Sequence, residues 1–383
     1  MRIAYDHQIF CSQSYGGISR YFVRLAEELA AGRHEVRIFA PLHQNRYARE
    51  LPPGIVKGYG LPGYPPRSIP LFMPPNRILA RSAIARWAPE IVHETYYSPQ
   101  PSGPGGSATI VTVYDMIHER FRESFPKGDR TSATKRAAIA RADHAICISQ
   151  STRRDLIELF EVPEEKVSYV HLGFERFPPA DSLQSPRLSR GRPYLLFVGG
   201  RFGYKNFALF LRSVAASARL LRDFDVVAFG GGGLSSSHRT LIGELGFRDS
   251  QVRQIGGDDS VLGLCYREAR AFVYPSLYEG FGLPPLEAMA QDCPVISSNT
   301  SSMPEVIGGA GEYFDPSDIG DMRRAIESVV YSDERVMELK ALGRERLGHF
   351  SWQRCGNETL AIYERVVGNA ATQPAPAHFG ACP

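Results

Sequence analysis

The chain has 383 residues, of which 43% are hydrophobic and 22% charged, the make-up of a folded globular protein and not of a disordered one. This length exceeds the ~100–200 residues of one typical domain, so two domains of similar size are expected and a single small binding module is excluded. With 44 basic and 41 acidic residues the formal charge is +3, too small to make nucleic acid the main partner. The six cysteines lie far apart, without a Cys-x-x-Cys pair or histidines at zinc-finger spacing, so no structural zinc site is expected. No window approaches the ~18 apolar residues of a membrane span. The start, MRIAYDHQIF, holds no apolar stretch of signal-peptide length, and a cytoplasmic location is expected.

In chain order, Ile3–Tyr5 reads as a strand and leads through Tyr15-Gly16-Gly17 into Ile18, Phe22, Leu25 and Leu29, which line one face of a helix. Short apolar runs at Glu35–Phe39, Glu90–His93, Thr109–Val113, His144–Ile148 and Val167–Val170 supply further strands between helical stretches, the pattern of a parallel α/β sheet. From 175 to 193 the chain is rich in proline, serine and arginine and loses periodicity, as an interdomain linker does. Strand and helix alternation restarts with Tyr194–Val198, Asp225–Phe229, Val252–Ile255, Ala271–Tyr274 and Pro294–Ser297. The expected organisation is a first domain over 1–174, a linker over 175–193, a second domain over 194–350, an amphipathic helix over 351–367 and a disordered tail over 368–383.

In open α/β sheets, ligands collect beyond the carboxyl ends of the strands, where helix N-termini offer free N–H groups to anions. The second domain's strands are followed by Gly199–Asn206, Gly230–Gly233, Gly256–Asp259, Pro275–Gly282 and Ser297–Ser302, so backbone can approach a ligand closely. Arg201 and Lys205 stand on the first of these loops, where two cations could neutralise a diphosphate or could be solvated helix-start charges. Only six of the 44 basic residues are lysine, so Lys205 on a glycine loop reads as a place for a compact charge. Glu279 falls in the last glycine loop and Glu287 about one turn into the helix that Pro284 and Pro285 begin, so both can face one pocket. Paired carboxylates accept hydrogen bonds from vicinal hydroxyls, which suits a sugar and a ribose joined by phosphates.

The runs VGGRFGYKN and EGFGLPPLEAMAQDCPVISSN resemble the retaining glycosyltransferases of family 4, as do YGGISRYFVRLAEEL, VTVYDMIHE, ADHAICISQSTRRDLIELF and FSW…YERV in the same order. The resemblance covers nearly the whole chain. It implies the GT-B fold, two facing Rossmann-like domains with a cleft between them and a C-terminal helix returning to the first. It also implies that Arg201 and Lys205 hold a donor diphosphate, that Glu279 contacts the donor sugar and that Glu287 contacts the ribose. The N–H groups of Phe281, Gly282 and Leu283 would face the sugar or phosphate, with Gly16 and Gly17 approaching from the first domain. Where the family often has His-Asp, this chain has Tyr114-Asp115, which leaves open whether Asp115 or His118 takes the polar role beside the reacting sugar.

YDHQIF with YGGISRY is most similar to enzymes of bacterial O-antigen or exopolysaccharide synthesis, often mannosyltransferases. The implied reaction moves a sugar, first of all mannose from GDP-mannose, onto a glycan or polyprenyl-linked acceptor, without a metal or other cofactor. A UDP-hexose or UDP-N-acetylhexosamine donor, a nucleotide-sugar epimerase and a non-catalytic sugar-binding protein are the alternatives. Asp223-Phe-Asp225 is spaced like an Asp-x-Asp metal motif but precedes its strand, at the wrong sheet end. His7, His93 and His171 lie in or beside strands and read as structural. The arginine-bearing apolar segment from Arg67 to Trp87 reads either as a helix packed on its sheet or as one touching an anionic membrane face.

Overall fold

A computed structural model describes residues 1–177 and 191–372. The first sheet comprises β1 (Arg2–Tyr5), β2 (Glu35–His43), β3 (Val56–Gly60), β4 (Ile91–Glu94), β5 (Ala108–Val113), β6 (His144–Cys147) and β7 (Val167–Tyr169). Their order is β3-β2-β1-β4-β5-β6-β7, and every pair is parallel. The second sheet comprises β8 (Tyr194–Val198), β9 (Asp225–Phe229), β10 (Val252–Ile255), β11 (Ala271–Tyr274), β12 (Val295–Ser298) and β13 (Gly311–Phe314), in the parallel order β10-β9-β8-β11-β12-β13. In the second sheet the central strands are near-continuous apolar runs because helices cover both faces. These are the two Rossmann-like domains expected.

Two strands escaped the sequence pattern. β3 is an edge strand whose Lys57, Gly58 and Tyr59 are all exposed, so burial imposes no alternation on it. β13 is four residues at the other sheet's edge with a mixed burial pattern.

Each sheet order reverses beside its first strand, between β1 and β4 and between β8 and β11. Crevices form at such switch points because the crossover helices diverge to opposite faces. The loops after β1, β8 and β11 therefore open at the crevices.

The Trp352–Thr372 helix returns to the first domain. Tyr363 reaches into its core, its hydroxyl 2.5 Å from His93 Nδ1 and 3.4 Å from the Tyr5 hydroxyl. This helix continues through 368–372, which the sequence pattern assigns to a disordered tail. Ala370 and Ala371 are strong helix formers by type. The rest of that expected tail, 373–383, lies outside the described residues. Of the expected linker, 178–190 also lies outside them, while its first residues are packed. Phe177 is buried against Tyr266, and Glu175 pairs with Arg24.

Candidate active site

The loop between β11 and the Leu283–Ala290 helix is the centre of the site. Gly282 opens the helix at φ 115°, a conformation side chains rarely adopt, and Pro284 and Pro285 fill the first turn without removing needed donors. The backbone N–H groups of Phe281, Gly282 and Leu283 have no protein acceptor among the described residues, as an anion-binding helix start requires. Gly280 must be glycine, since a Cβ there would stand 1.7 Å from the Tyr114 carbonyl oxygen of the first domain.

Serines after β12 hold this loop. Glu279 N–H donates to Ser301 Oγ at 2.9 Å, and the Ser302 hydroxyl lies 2.8 Å from Glu279 O and 2.7 Å from Phe281 O. Ser301 and Ser302 were legible only as small residues after a strand. Their position across the β11–β12 pairing is what turns them onto the loop.

Glu279 is buried and its Oε1 lies 2.6 Å from Lys205 Nζ, with the rings of Tyr204 and Tyr274 flanking the lysine at 5.3 and 5.9 Å. Arg201 points elsewhere. Its guanidinium is buried and donates to the carbonyl oxygens of Gly230, Gly231, Gly232 and Gly233, the loop after β9. Burial lowers its pKa from the ordinary arginine value, since only carbonyl dipoles compensate the charge. Both cations are therefore engaged, Lys205 by a carboxylate and Arg201 by peptide groups, rather than solvated.

Glu287 is half-buried one turn into the helix, and its Oε2 accepts from Tyr266 Oη at 3.3 Å. Burial pushes its carboxyl up to about 7, against the pull of the Arg20 charge. Arg20 belongs to the first domain, one turn past Gly16 and Gly17 at the start of the Gly17–Ala31 helix. It donates to Asp259 Oδ2 of the second domain at 2.8 Å and to Tyr47 Oη at 2.9 Å. Arg20 was missed from sequence. Its signal was a cation one helical turn beyond a glycine pair, a spacing that alone does not reveal which domain it faces.

The first domain closes on the loop after β11 and its neighbours at several points. Thr152 Oγ1 donates to Gly280 O at 3.1 Å, and Tyr278 Oη donates to Asp155 Oδ2 at 2.6 Å. Glu305 of the second domain caps the Gln150–Phe160 helix, accepting from Gln150 N at 2.6 Å and Ser151 N at 3.0 Å, and lies 2.6 Å from His171 Nε2. Asp115 sits at this contact, its Cβ 3.1 Å from the space a Gly280 side chain would need, with Lys135 holding its backbone oxygen at 2.8 Å. The His118 ring is stacked on Phe125 at 4.0 Å.

The Asp-x-Asp look-alike is engaged in ion pairs and lies away from the carboxyl ends of the strands. Asp223 ends the Ala218–Asp223 helix, paired with Arg222 at 2.8 Å, and Asp225 begins β9 buried beside Arg192 at 3.0 Å and Arg253 at 3.6 Å. His93 donates or accepts only within the core, between Tyr363 and Thr112.

Two parallel Rossmann-like sheets, with a glycine loop, a lysine–glutamate pair and an open helix start at the carboxyl end of the second, have the architecture of the GT-B fold of glycosyltransferases. Residues 181–346 match the model of glycosyl transferases group 1, and residues 15–176 match that of glycosyltransferase family 4. The chain belongs to this family and is a hexosyl-transferring enzyme.

The chain is 27% identical over 368 residues to O-antigen chain mannosyltransferase B of Escherichia coli, covering 91% of this chain and 96% of that one. It is 29% identical over 310 residues to the serotype-specific mannosyltransferase WbdA of Escherichia coli, covering 74% of this chain and 38% of WbdA. In fold it is similar to sucrose-phosphate synthase of Thermosynechococcus elongatus, with a TM-score of 0.74 at 19% identity over 96% of this chain and 99% of that one.

Proposed function

We propose that the enzyme transfers mannose from GDP-mannose, with retention of anomeric configuration, to a glycan or polyprenyl-linked oligosaccharide of a bacterial surface polysaccharide. The observation that carries this reading is the Lys205–Glu279 pair beside the open start of the Leu283–Ala290 helix. A lysine neutralised in the resting enzyme can turn to the diphosphate as negative charge develops on the leaving group, while Glu279, released from it, meets the donor sugar. Arg201 and the free N–H groups add positive potential at the same strand ends, so the leaving group needs no metal. Glu287 takes the ribose hydroxyls and Arg20 closes that end from the first domain. Asp115, beside Gly280, takes the polar role near the reacting sugar in preference to the stacked His118.

Mannose as the donor sugar is supported by the names of the relatives, both mannosyltransferases. The acceptor side includes the Ile69–Trp87 helix, where Leu71, Ile78 and Leu79 are exposed among Arg77, Arg81 and Arg86. This face suits peripheral contact with an anionic membrane on the cytoplasmic side. No helix among the described residues is long and apolar enough to cross a membrane.

Thermal-shift measurements with GDP, UDP and ADP test the donor, with stabilisation by GDP expected. Stabilisation by UDP alone would replace GDP-mannose by a UDP-sugar. Incubation with GDP-mannose and no acceptor separates transfer from epimerisation, because an epimerase converts the donor by itself.

A further inference from the structure

The loop after β1 and the Ile69–Trp87 helix enclose a cavity of about 170 Å³ in the first domain, lined among others by His7, Gln8, Met73, Pro74, Arg77 and Ser102. His7 and Gln8 follow β1 and Ser102 follows β4, so the cavity lies at the switch point of the first sheet, apart from the residues assigned to the donor. Its volume is several times the ~30 Å³ of a water and below the ~300–1,000 Å³ of a whole ligand pocket, so it suits one ring of a larger molecule.

His7 is only 3% exposed, yet its Nδ1 is buried without a partner, and neither ring nitrogen is hydrogen-bonded among the described residues. Buried polar groups left in this state are rare in folded proteins and call for an explanation. Burial, opposed by Asp6 and reinforced by Arg77, holds His7 below the ordinary histidine pKa. Nε2, which unlike Nδ1 is not sealed off, can exchange one hydrogen bond with a sugar hydroxyl as the neutral ring's donor or acceptor.

Beside it, Gln8 Nε2 is fixed by Asp6 Oδ2 at 2.8 Å and Tyr96 O at 2.9 Å, which leaves Gln8 Oε1 as an oriented acceptor. Met73 and Pro74 add an apolar wall. Arg77 is exposed at the rim and has no ion-pair partner among the described residues. On the same helix, Leu71, Ile78 and Leu79 turn outward, so a phosphate at the rim would sit between a sugar inside and an apolar chain outside.

We propose that this cavity is an acceptor subsite for one sugar ring of a phosphate-bearing glycan, with His7 and Gln8 on the hydroxyls and Arg77 on the phosphate. The proposal rests on the transferase reading above and adds a recognition site outside its donor residues. It also gives His7, structural by sequence pattern, a contact with substrate.

Protein labelled with carbon-13 at histidine Cε1 and saturated with GDP is titrated with methyl α-mannoside and with mannose 1-phosphate, the His7 resonance being assigned by its loss in His7→Gln. Both probes are expected to shift it, with mannose 1-phosphate binding about fivefold to tenfold more tightly and Arg77→Gln abolishing that preference. A His7 resonance unmoved by either probe at saturating millimolar concentrations overturns the subsite, and an Arg77→Gln protein that keeps the preference overturns the phosphate contact. Arg77 is exposed, so this second variant folds even if His7→Gln does not. GDP stabilisation is read on the same samples. Its absence sinks the donor reading, whereas its presence with a silent His7 sinks only the subsite.

Discussion

Lys205 Nζ and Glu279 Oε1 stand 2.6 Å apart at the carboxyl end of the second sheet, with Glu279 itself buried. An ion pair removed from water is held by geometry, and taking away one partner strands the other charge. The pair therefore keeps a cation next to the open helix start without leaving it bare. On the proposed function, a diphosphate entering the site would compete with Glu279 for Lys205 and free the carboxylate for the donor sugar.

Lys205→Ala and Arg201→Ala are each expected to lower kcat/KM by about tenfold to a hundredfold, since a buried charge-assisted contact contributes ~1.5–3 kcal/mol. Steady-state kinetics with GDP-mannose and acceptor measure this. Near-normal turnover in both variants would remove the diphosphate role. Arg201→Ala should also unfold at a lower temperature, because four glycine carbonyls lose their common donor.

The two glutamates should separate kinetically. Glu279→Ala is expected to lower mainly kcat, and Glu287→Ala to raise mainly the donor KM, because ribose contacts are equal in ground and transition states. The opposite split would mean that the roles are exchanged.

Stability against pH tests the environment of Glu287, whose carboxyl is raised from 4.5 to about 7 by burial. Between these values the folded chain binds more protons than the unfolded one, so this group makes stability fall as pH rises from 4.5 to 7. Glu287→Gln should therefore gain on the wild type over that window, by roughly 1–3 kcal/mol at pH 8 relative to pH 4.5. Urea denaturation across the range measures the difference. A constant offset would show that Glu287 is ordinarily solvated.

Transfer is expected to survive excess chelator with little change in initial rate, and Asp223→Ala and Asp225→Ala to remain active. Asp225→Ala should be less stable, as Arg192 and Arg253 lose a buried carboxylate between them. Loss of activity in chelator, restored by magnesium or manganese, would reveal an acidic metal site.

Cosedimentation with anionic vesicles is expected to fall as salt rises, because a Debye length of ~8–10 Å near physiological strength limits the arginine contribution. Replacing Leu71, Ile78 and Leu79 by serine should weaken it further. Equal binding to neutral and anionic vesicles, or none at low salt, counts against membrane contact.

Much of the candidate site was legible before folding because its residues follow one local rule. Glycine-bearing turns after apolar strands expose backbone to ligands, which singled out Arg201, Lys205, Glu279 and Glu287 from position along the chain. The edge strands β3 and β13 were invisible, since exposed or short segments carry no alternation. Periodicity reports burial, and where burial imposes no pattern it has nothing to report.

By itself, the sequence determined two α/β domains, the strand-end loops and the residue types in them, because these depend on spacing along a few residues. Only the tertiary structure decided which partners those residues keep. It turned Arg201 onto the Gly230–Gly233 carbonyls, set Lys205 against Glu279, brought Arg20 across to Asp259, and seated Asp115 beside Gly280 while stacking His118 on Phe125. Each of these contacts joins positions on separate elements. Their approach is fixed by how the sheets stack, how the domains close and where the last helix returns, which no local pattern encodes.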